Sequence, residues 1–376
     1  MNELCAIIEA YQEAEQANIK AVLATVVKVE GSSYRMPGAR MLVTEFGEMT
    51  GAISGGCLEG DALRRAMLAL TQQTNKLVTY DTSNDADVTI GVQLGCNGIV
   101  HILFEYIDHA KPNNPITLLE KLLDKRTASV VVTVCSLDRN ADQPGTCCVQ
   151  LENETLFSDT TILSLTDLSA SIEQVFASQQ TLRTVFAHGQ STYEVLFEYV
   201  IPVTRLILIG AGNDVQPLVE MANIMGWESW IVDGRSTHAT KKRFPTAKSI
   251  TVTSSDEFQQ QITIDPYSVC VLMSHNYNYD KAILQQLITT DCPYIGLLGP
   301  KKRFMRMVEE LQAEGITLDS AQQAKLFGPV GLDIGAETSA EIALAILAEI
   351  KAVLHHKSAC SLRDRTGKMH QDISII

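Results

Sequence analysis

TRLILIGAG (204–212) is a near-continuous apolar run that ends in glycine–alanine–glycine. A run with no polar alternation reads as a strand buried on both faces, as in a parallel sheet. A G-x-G turn at a helix start has the makings of a phosphate site. Gly210 permits the tight turn, and Gly212 lets the backbone approach a phosphate. The amide groups and helix dipole favour the anion. Asp233 ends the next predicted strand, SWIVD (229–233), about twenty residues on, where a ribose-binding carboxylate belongs. The fingerprint is partial. Its third glycine position is Val215, and Pro217 fits only within the first helical turn. A Rossmann-like unit follows. Nicotinamide binding and a scaffold that has kept the turn without the ligand both stay open.

Downstream, strands are predicted at 249–252, 268–273 and 294–298, with helices over 279–288, 301–314 and 340–354. Thr338 with Glu341 forms a capping box at the start of the last helix. This alternation predicts a doubly wound parallel sheet over 203–355. Ser274-His275, Gly296–Gly299 and GPVGLDIG (328–335) fall at the carboxyl edge, where such sheets hold ligands. His275 reads equally well as a structural or a catalytic histidine. The polar stretch 356–376 forms a tail.

Upstream, residues 1–200 read as a separate α+β domain. Helices are predicted at 3–17, 59–72 and 118–124. Strands are predicted at 21–30, 40–44, 76–80, 100–107, 129–135 and 147–151, the last two as a hairpin. Residues 152–200 are weakly patterned and are expected to complete this domain. GAISGGCLEGD (51–61) packs four glycines and a cysteine directly before a helix. That much glycine suits a backbone that comes close to something bulky and charged. Cys57 lies just ahead of the helix, where the dipole favours a thiolate, while Glu59 and Asp61 oppose it. Cys96 sits in a second glycine loop, LGCNG (94–98). Both thiols could face one ligand, or both could be small residues chosen for packing. Ser32, Ser33, Arg35 and Arg40 supply donors suited to a phosphate or carboxylate. The arginines could instead pair with the chain's own acids. Cys147-Cys148 reads as packing on the two faces of a strand.

The 376 residues carry a formal net charge of −14, with 45% apolar and 20% charged residues. This is a globular composition for two domains. Its acidity argues against general binding to nucleic acid or anionic membrane. No apolar run approaches the ~18 residues of a membrane helix. The acidic N-terminus is unlike a secretory signal, so a cytoplasmic location is expected. The nine cysteines are scattered. There is no C-x-x-C pair and no histidine pair at ligand spacing, which argues against structural zinc.

Together these segments resemble the XdhC/CoxI family of accessory proteins of molybdenum hydroxylases. The matching motifs are GSSYRMPGARM (31–41), GAISGGCLEGD, LGCNG, ILIGAG (207–212), IVDGR (231–235), SHNYNYD (274–280), YIGLLGPKKR (294–303) and GPVGLDIGAETSAEIALAILAEI (328–350). They span nearly the whole chain. The resemblance implies an XdhC-type domain followed by a Rossmann-like one. It also implies a factor that binds the molybdenum cofactor, a pterin with a dithiolene and a phosphate or nucleotide tail. Such a factor protects the cofactor during sulfuration and passes it to a xanthine dehydrogenase-like molybdenum hydroxylase. A cysteine desulfurase is the implied sulfur donor. On this reading Cys57 and Cys96 contact molybdenum or its sulfur. Arg40, Ser54, Gly55 and Gly56 hold the pterin or its phosphate. Gly210, Gly212, Asp233 and Gly299 serve a nucleotide moiety or a separate NAD(P). Two departures stand out: Asn213 replaces the histidine that often follows the G-x-G, and Tyr34 replaces a loop proline. The alternatives are an NAD(P)-dependent oxidoreductase with His275 as acid–base, and a non-catalytic assembly partner of a molybdoenzyme. A homodimer would bring further loops to a shared cleft.

Overall fold

The computed structural model describes residues 2–81, 98–138, 140–151, 154–157, 162–189, 191–364 and 374–375. The expected Cys96 loop and the polar loop at 82–87 lie outside them. The chain forms two compact units, Met1–Pro202 joined by the extreme C-terminus, and Val203–Lys368.

The first unit begins with α1 (Asn2–Gln16), β1 (Ala21–Gly31), β2 (Arg40–Thr44), β3 (Met49–Gly51), α2 (Glu59–Gln72), β4 (Lys76–Asp81) and β5 (Gly98–Tyr106). These strands pair antiparallel in the order β3-β2-β1-β5-β4. There follow α3 (Pro115–Asp124), β6 (Ser129–Cys135), β7 (Gly145–Gln150), β8 (Thr155–Phe157), α4 (Leu165–Ser178), β9 (Leu182–His188) and β10 (Ser191–Val200). They build a second sheet in the order β9-β10-β6-β7-β8.

Successive strand residues point to opposite faces, and this sorts the unit into layers. Val22, Ala24 and Val26 of β1 pack on Ala62, Ala66 and Ala69 of α2. Their neighbours Ala21 and Leu23 meet Val131 and Val149 of the second sheet, together with α1 and α3. On the far side, Val130, Val132, Val195 and Phe197 pack on Leu168, Ile172 and Val175 of α4. The layer between the sheets is partly polar. Lys28 pairs with Glu194 at 3.1 Å and Arg40 with Glu198 at 2.6 Å. These inward glutamates explain why 152–200 looks unpatterned in the sequence: β10 hides two charges on a buried face.

Glu105 of β5 is fully enclosed in that layer. Its carboxylate accepts from the Thr146 amide at 2.6 Å and the Thr146 hydroxyl at 3.1 Å. Burial pushes its pKa above the ordinary 4.5, and the Thr146 contacts and Arg40 only partly oppose this.

The second unit contains β11 (Arg205–Ile209), α5 (Val215–Ile224), β12 (Glu228–Asp233), β13 (Ser249–Val252), α6 (Phe258–Gln261), β14 (Ser268–Leu272), α7 (Tyr277–Leu287), β15 (Tyr294–Leu297), α8 (Lys301–Ala313), α9 (Ser320–Ala324), β16 (Leu326–Phe327) and α10 (Ser339–Leu354). All six strands are parallel, in the order β13-β12-β11-β14-β15-β16. Numbered within the unit, this is 3-2-1-4-5-6, the Rossmann order. The doubly wound sheet expected from the sequence is therefore present. Leu206 and Leu208 pack on α5 and α10, while Ile207 and Ile209 pack on α7 and other residues of the opposite face. Each such side chain, fully buried, contributes ~1.5–3 kcal/mol. The two-residue β16 was not expected; it is too short to show a pattern. The final strand, β17 (Ser374–Ile375), pairs parallel with β9 of the first unit.

A raised folded pKa means that Glu105 contributes most to folding when protonated. That contribution is complete below the unfolded value near 4.5 and is lost as pH rises through the folded value. The stability of Glu105→Gln, measured by urea unfolding, should therefore improve relative to the parent as pH is raised above that point. A constant difference across that range would refute the assignment.

Candidate functional site

In the first unit the glycine–cysteine loop links β3 to α2. The residue at the head of α2 is Leu58, whose side chain cannot cap. The loop solves this with one hydroxyl and one carboxylate. Ser54 Oγ accepts from the amides of Gly56, Cys57 and Leu58 at 3.1–3.2 Å. It donates in turn to Glu59. Glu59 also accepts from the amides of Ser54 at 3.0 Å and Leu58 at 3.1 Å. Ser54 is buried and is the hub of the loop.

Cys57 is partly exposed. Its side chain rests against the α2 core, and its thiol lies 3.6 Å from Ser54 Oγ, donating to it. Gly55 lets the Tyr34 ring come down onto the backbone: a Cβ there would sit 3.2 Å from the ring. Tyr34 remains 71% exposed, so an open aromatic face lies beside the thiol loop. Gly56 adopts φ +103, a conformation that suits glycine, and its open side meets nothing within 4 Å.

Arg40 is not part of this cluster. Its guanidinium is buried and holds Glu198 and the Gly38 carbonyl. Arg35 bonds Glu3 and the Ala52 carbonyl, the latter at 3.1 Å. Both arginines pair with groups of the chain itself. Ser54, Gly55, Gly56 and Cys57 are thus brought together, whereas Arg40 is turned into the layer between the sheets. Tyr34 and Glu59 complete the cluster.

In the second unit the crevice lies where the strand order reverses, between β11 and β14. Gly210 has φ +131, and a Cβ on it would lie 2.5 Å from the Met273 carbonyl. The G-x-G turn thus packs on the backbone leading to Ser274-His275. Asp233 is buried and accepts from the Ala211 amide at 2.7 Å. It also accepts from the Arg235 amide and guanidinium at 2.7–2.9 Å. Burial pushes its pKa up, but the Arg235 and Ala211 contacts outweigh this and hold it below the ordinary value.

Arg243 binds the Ala211 and His238 carbonyls and reaches Asn213 Oδ1 at 2.8 Å. His275, at φ +59, places Nε2 2.8 Å from Asp214 Oδ2. Behind it Ser274 donates to the buried Asp280 at 2.6 Å, and Arg303 donates to the same carboxylate at 2.6 Å. Gly299 leads into that arginine's helix. It also borders a cleft of about 370 Å³ with Pro329, Val330, Asp333, Ile334 and Ala345. Gly210, Gly212, Asp233 and His275 therefore converge. Sequence reasoning did not single out Asp214, Arg235, Arg243 or Asp280. The only signal was that IVDGR and SHNYNYD stand as intact motifs.

Residues 14–81 match the XdhC and CoxI family, and residues 206–350 match the XdhC Rossmann domain. A Bacillus subtilis (strain 168) protein, named as one of the probable subunits of a xanthine dehydrogenase, is 31% identical over 88% of this chain and 92% of its own length.

The chain belongs to the XdhC/CoxI family.

A second relative, the Escherichia coli (strain K12) "Molybdenum cofactor insertion chaperone PaoD", is 22% identical over 92% of this chain and 87% of its own length. A crystal structure described as a xanthine dehydrogenase from Bacillus halodurans superposes with a TM-score of 0.75 at 29% identity. It covers 95% of this chain and 98% of that one. Among the described residues, no helix is long and apolar enough to cross a membrane, and no cluster of three or more His, Cys, Asp or Glu is arranged to hold a metal ion.

Removing the Ser54 hydroxyl leaves the Gly56 and Cys57 amides without their acceptor, while the Leu58 amide keeps Glu59. Ser54→Ala should cost ~1–3 kcal/mol in unfolding free energy and should speed amide hydrogen exchange at Gly56 and Cys57. Unchanged exchange at those amides would show that the hydroxyl is not the hub.

Proposed function

We propose that this XdhC-family chain is a maturation factor that binds the molybdenum cofactor and delivers it to a xanthine dehydrogenase-type molybdenum hydroxylase. The observation that carries this reading is the partly exposed Cys57 thiol on the Ser54-ordered loop. The chain around it resembles a named molybdenum cofactor insertion chaperone over 92% of its length. Bound there, the cofactor would supply molybdenum, its sulfur ligands and a flat pterin. Cys57 is a soft ligand of the kind that suits molybdenum or sulfur. The open face of Tyr34 suits stacking of a flat heterocycle.

The amides of Gly56, Cys57 and Leu58 already have Ser54 as acceptor, so the loop offers its thiol and ring rather than a phosphate nest. Arg40, tied to Glu198, serves the fold. In this reading the factor holds the cofactor in the cytoplasm while a cysteine desulfurase provides the sulfido ligand.

The reading is tested by incubating the purified protein anaerobically with cofactor released from a molybdoenzyme, then measuring molybdenum retained after gel filtration. The parent should retain it stoichiometrically. Cys57→Ala should bind about tenfold or more weakly, equivalent to ~1.4 kcal/mol, and Cys360→Ala should match the parent. No retention by the parent would overturn the proposal.

A further inference from the structure

We infer that Asp214 is a built-in anion that holds the phosphate position of the second unit's crevice, clamped by His275, and that it keeps dinucleotides out. The inference stands apart from the reading of the first unit and survives whether or not Cys57 binds the cofactor.

The second glycine of a Rossmann turn normally lacks a side chain so that a pyrophosphate can approach its backbone. Here a Cβ on Gly212 would lie 2.2 Å from Asp214 Oδ1. The space over Gly212 is therefore filled by the chain's own carboxylate. Asp214 stands at the head of α5 yet makes no side-chain cap to that helix. Its other oxygen reaches across the switch point to His275 Nε2 at 2.8 Å. His275 adopts φ +59, a region that residues with a Cβ seldom occupy. The Gly212 position itself lies near the imidazole, with Nε2 3.8 Å from the Cβ site.

Ala211 and the Asn213 side chain of the turn are also held from within. Asp233 takes the Ala211 amide, and Arg243 takes the Ala211 carbonyl and the Asn213 side chain. Both oxygens of Asp233 are engaged, by Ala211 and by Arg235. A ribose hydroxyl would have to compete with those contacts. A phosphate entering over Gly212 would meet the Asp214 carboxylate, which lies where a side chain on that glycine would begin, and like charges brought together at a binding site strongly disfavour association. Entry requires Asp214 to leave and His275 to give up its partner.

Asp214 is thus a specificity-determining residue: it lets the fold keep its turn while excluding the ligand that the turn usually serves. Neutralising it should recover the usual ligand. The probes are NADH and NADPH, followed by nicotinamide fluorescence, with ADP followed by calorimetry. The full-length parent should bind all three weakly. Asp214→Ala should bind at least one of them about tenfold or more tightly. Asp214→Asn keeps the shape and removes the charge, so it should also gain affinity and serves if the alanine variant misfolds. Parent affinity equal to that of both variants would overturn the inference, as would folded variants that gain nothing.

Discussion

A glycine-rich turn has backbone amides but few side chains of its own to satisfy them, and both candidate sites of this protein are shaped by that constraint. In the first unit Ser54 and Glu59 supply the acceptors. In the second, Asp233 takes the Ala211 amide, while Asp214 fills the space over Gly212. A buried amide left without a partner costs ~1–3 kcal/mol. Internal acceptors therefore help to hold both turns, through Ser54 and Glu59 in the first and through Asp233 at Ala211 in the second. They also change what each turn can offer. The first-unit loop, with its Gly56, Cys57 and Leu58 amides engaged, is a poor phosphate nest, and what remains at its surface is whatever side chain it displays. In the first unit that is a thiol beside an exposed tyrosine ring.

The framework under each turn fits this account. In the first unit, strand alternation sends alanines and valines toward α2 and sends Lys28, Arg40 and Glu105 toward the second sheet. The Arg40 charge is needed there to balance Glu198, in a layer where an unpaired ion would be costly. In the second unit, helices on both faces of β11 bury the strand completely. Its carboxyl end is thereby fixed at the reversal of strand order, against the Met273–Ser274 backbone. Ser274 is held by Asp280, which Arg303 also binds, so the loop carrying His275 is braced from behind.

Much of the fold was legible in the sequence because its decisive segments follow simple periodicity. The near-continuous apolar run 204–209 reads as a strand of the kind buried in a parallel sheet, and Thr338 with Glu341 marked the start of α10, where the capping box is found. β10 was harder to read, because Glu194 and Glu198 point inward and find cations on other strands. The candidate residues divide in the same way. The clustering of Ser54, Gly55, Gly56 and Cys57 is local and could be read from one motif. The partner of Arg40 lies 158 residues away, and that of His275 lies 61 residues away. Neither pairing leaves any local mark in the sequence. Donors that looked available for an anion were committed to the chain's own carboxylates, as expected when acids outnumber bases 44 to 30.

The most direct test of the central claim is the rate at which iodoacetamide alkylates Cys57, followed by mass spectrometry with and without released molybdenum cofactor. Cys360, which is exposed, serves as the internal reference. The account predicts that cofactor slows labelling of Cys57 and leaves Cys360 unchanged. Equal labelling of Cys57 under both conditions, with cofactor shown to be bound, would contradict it.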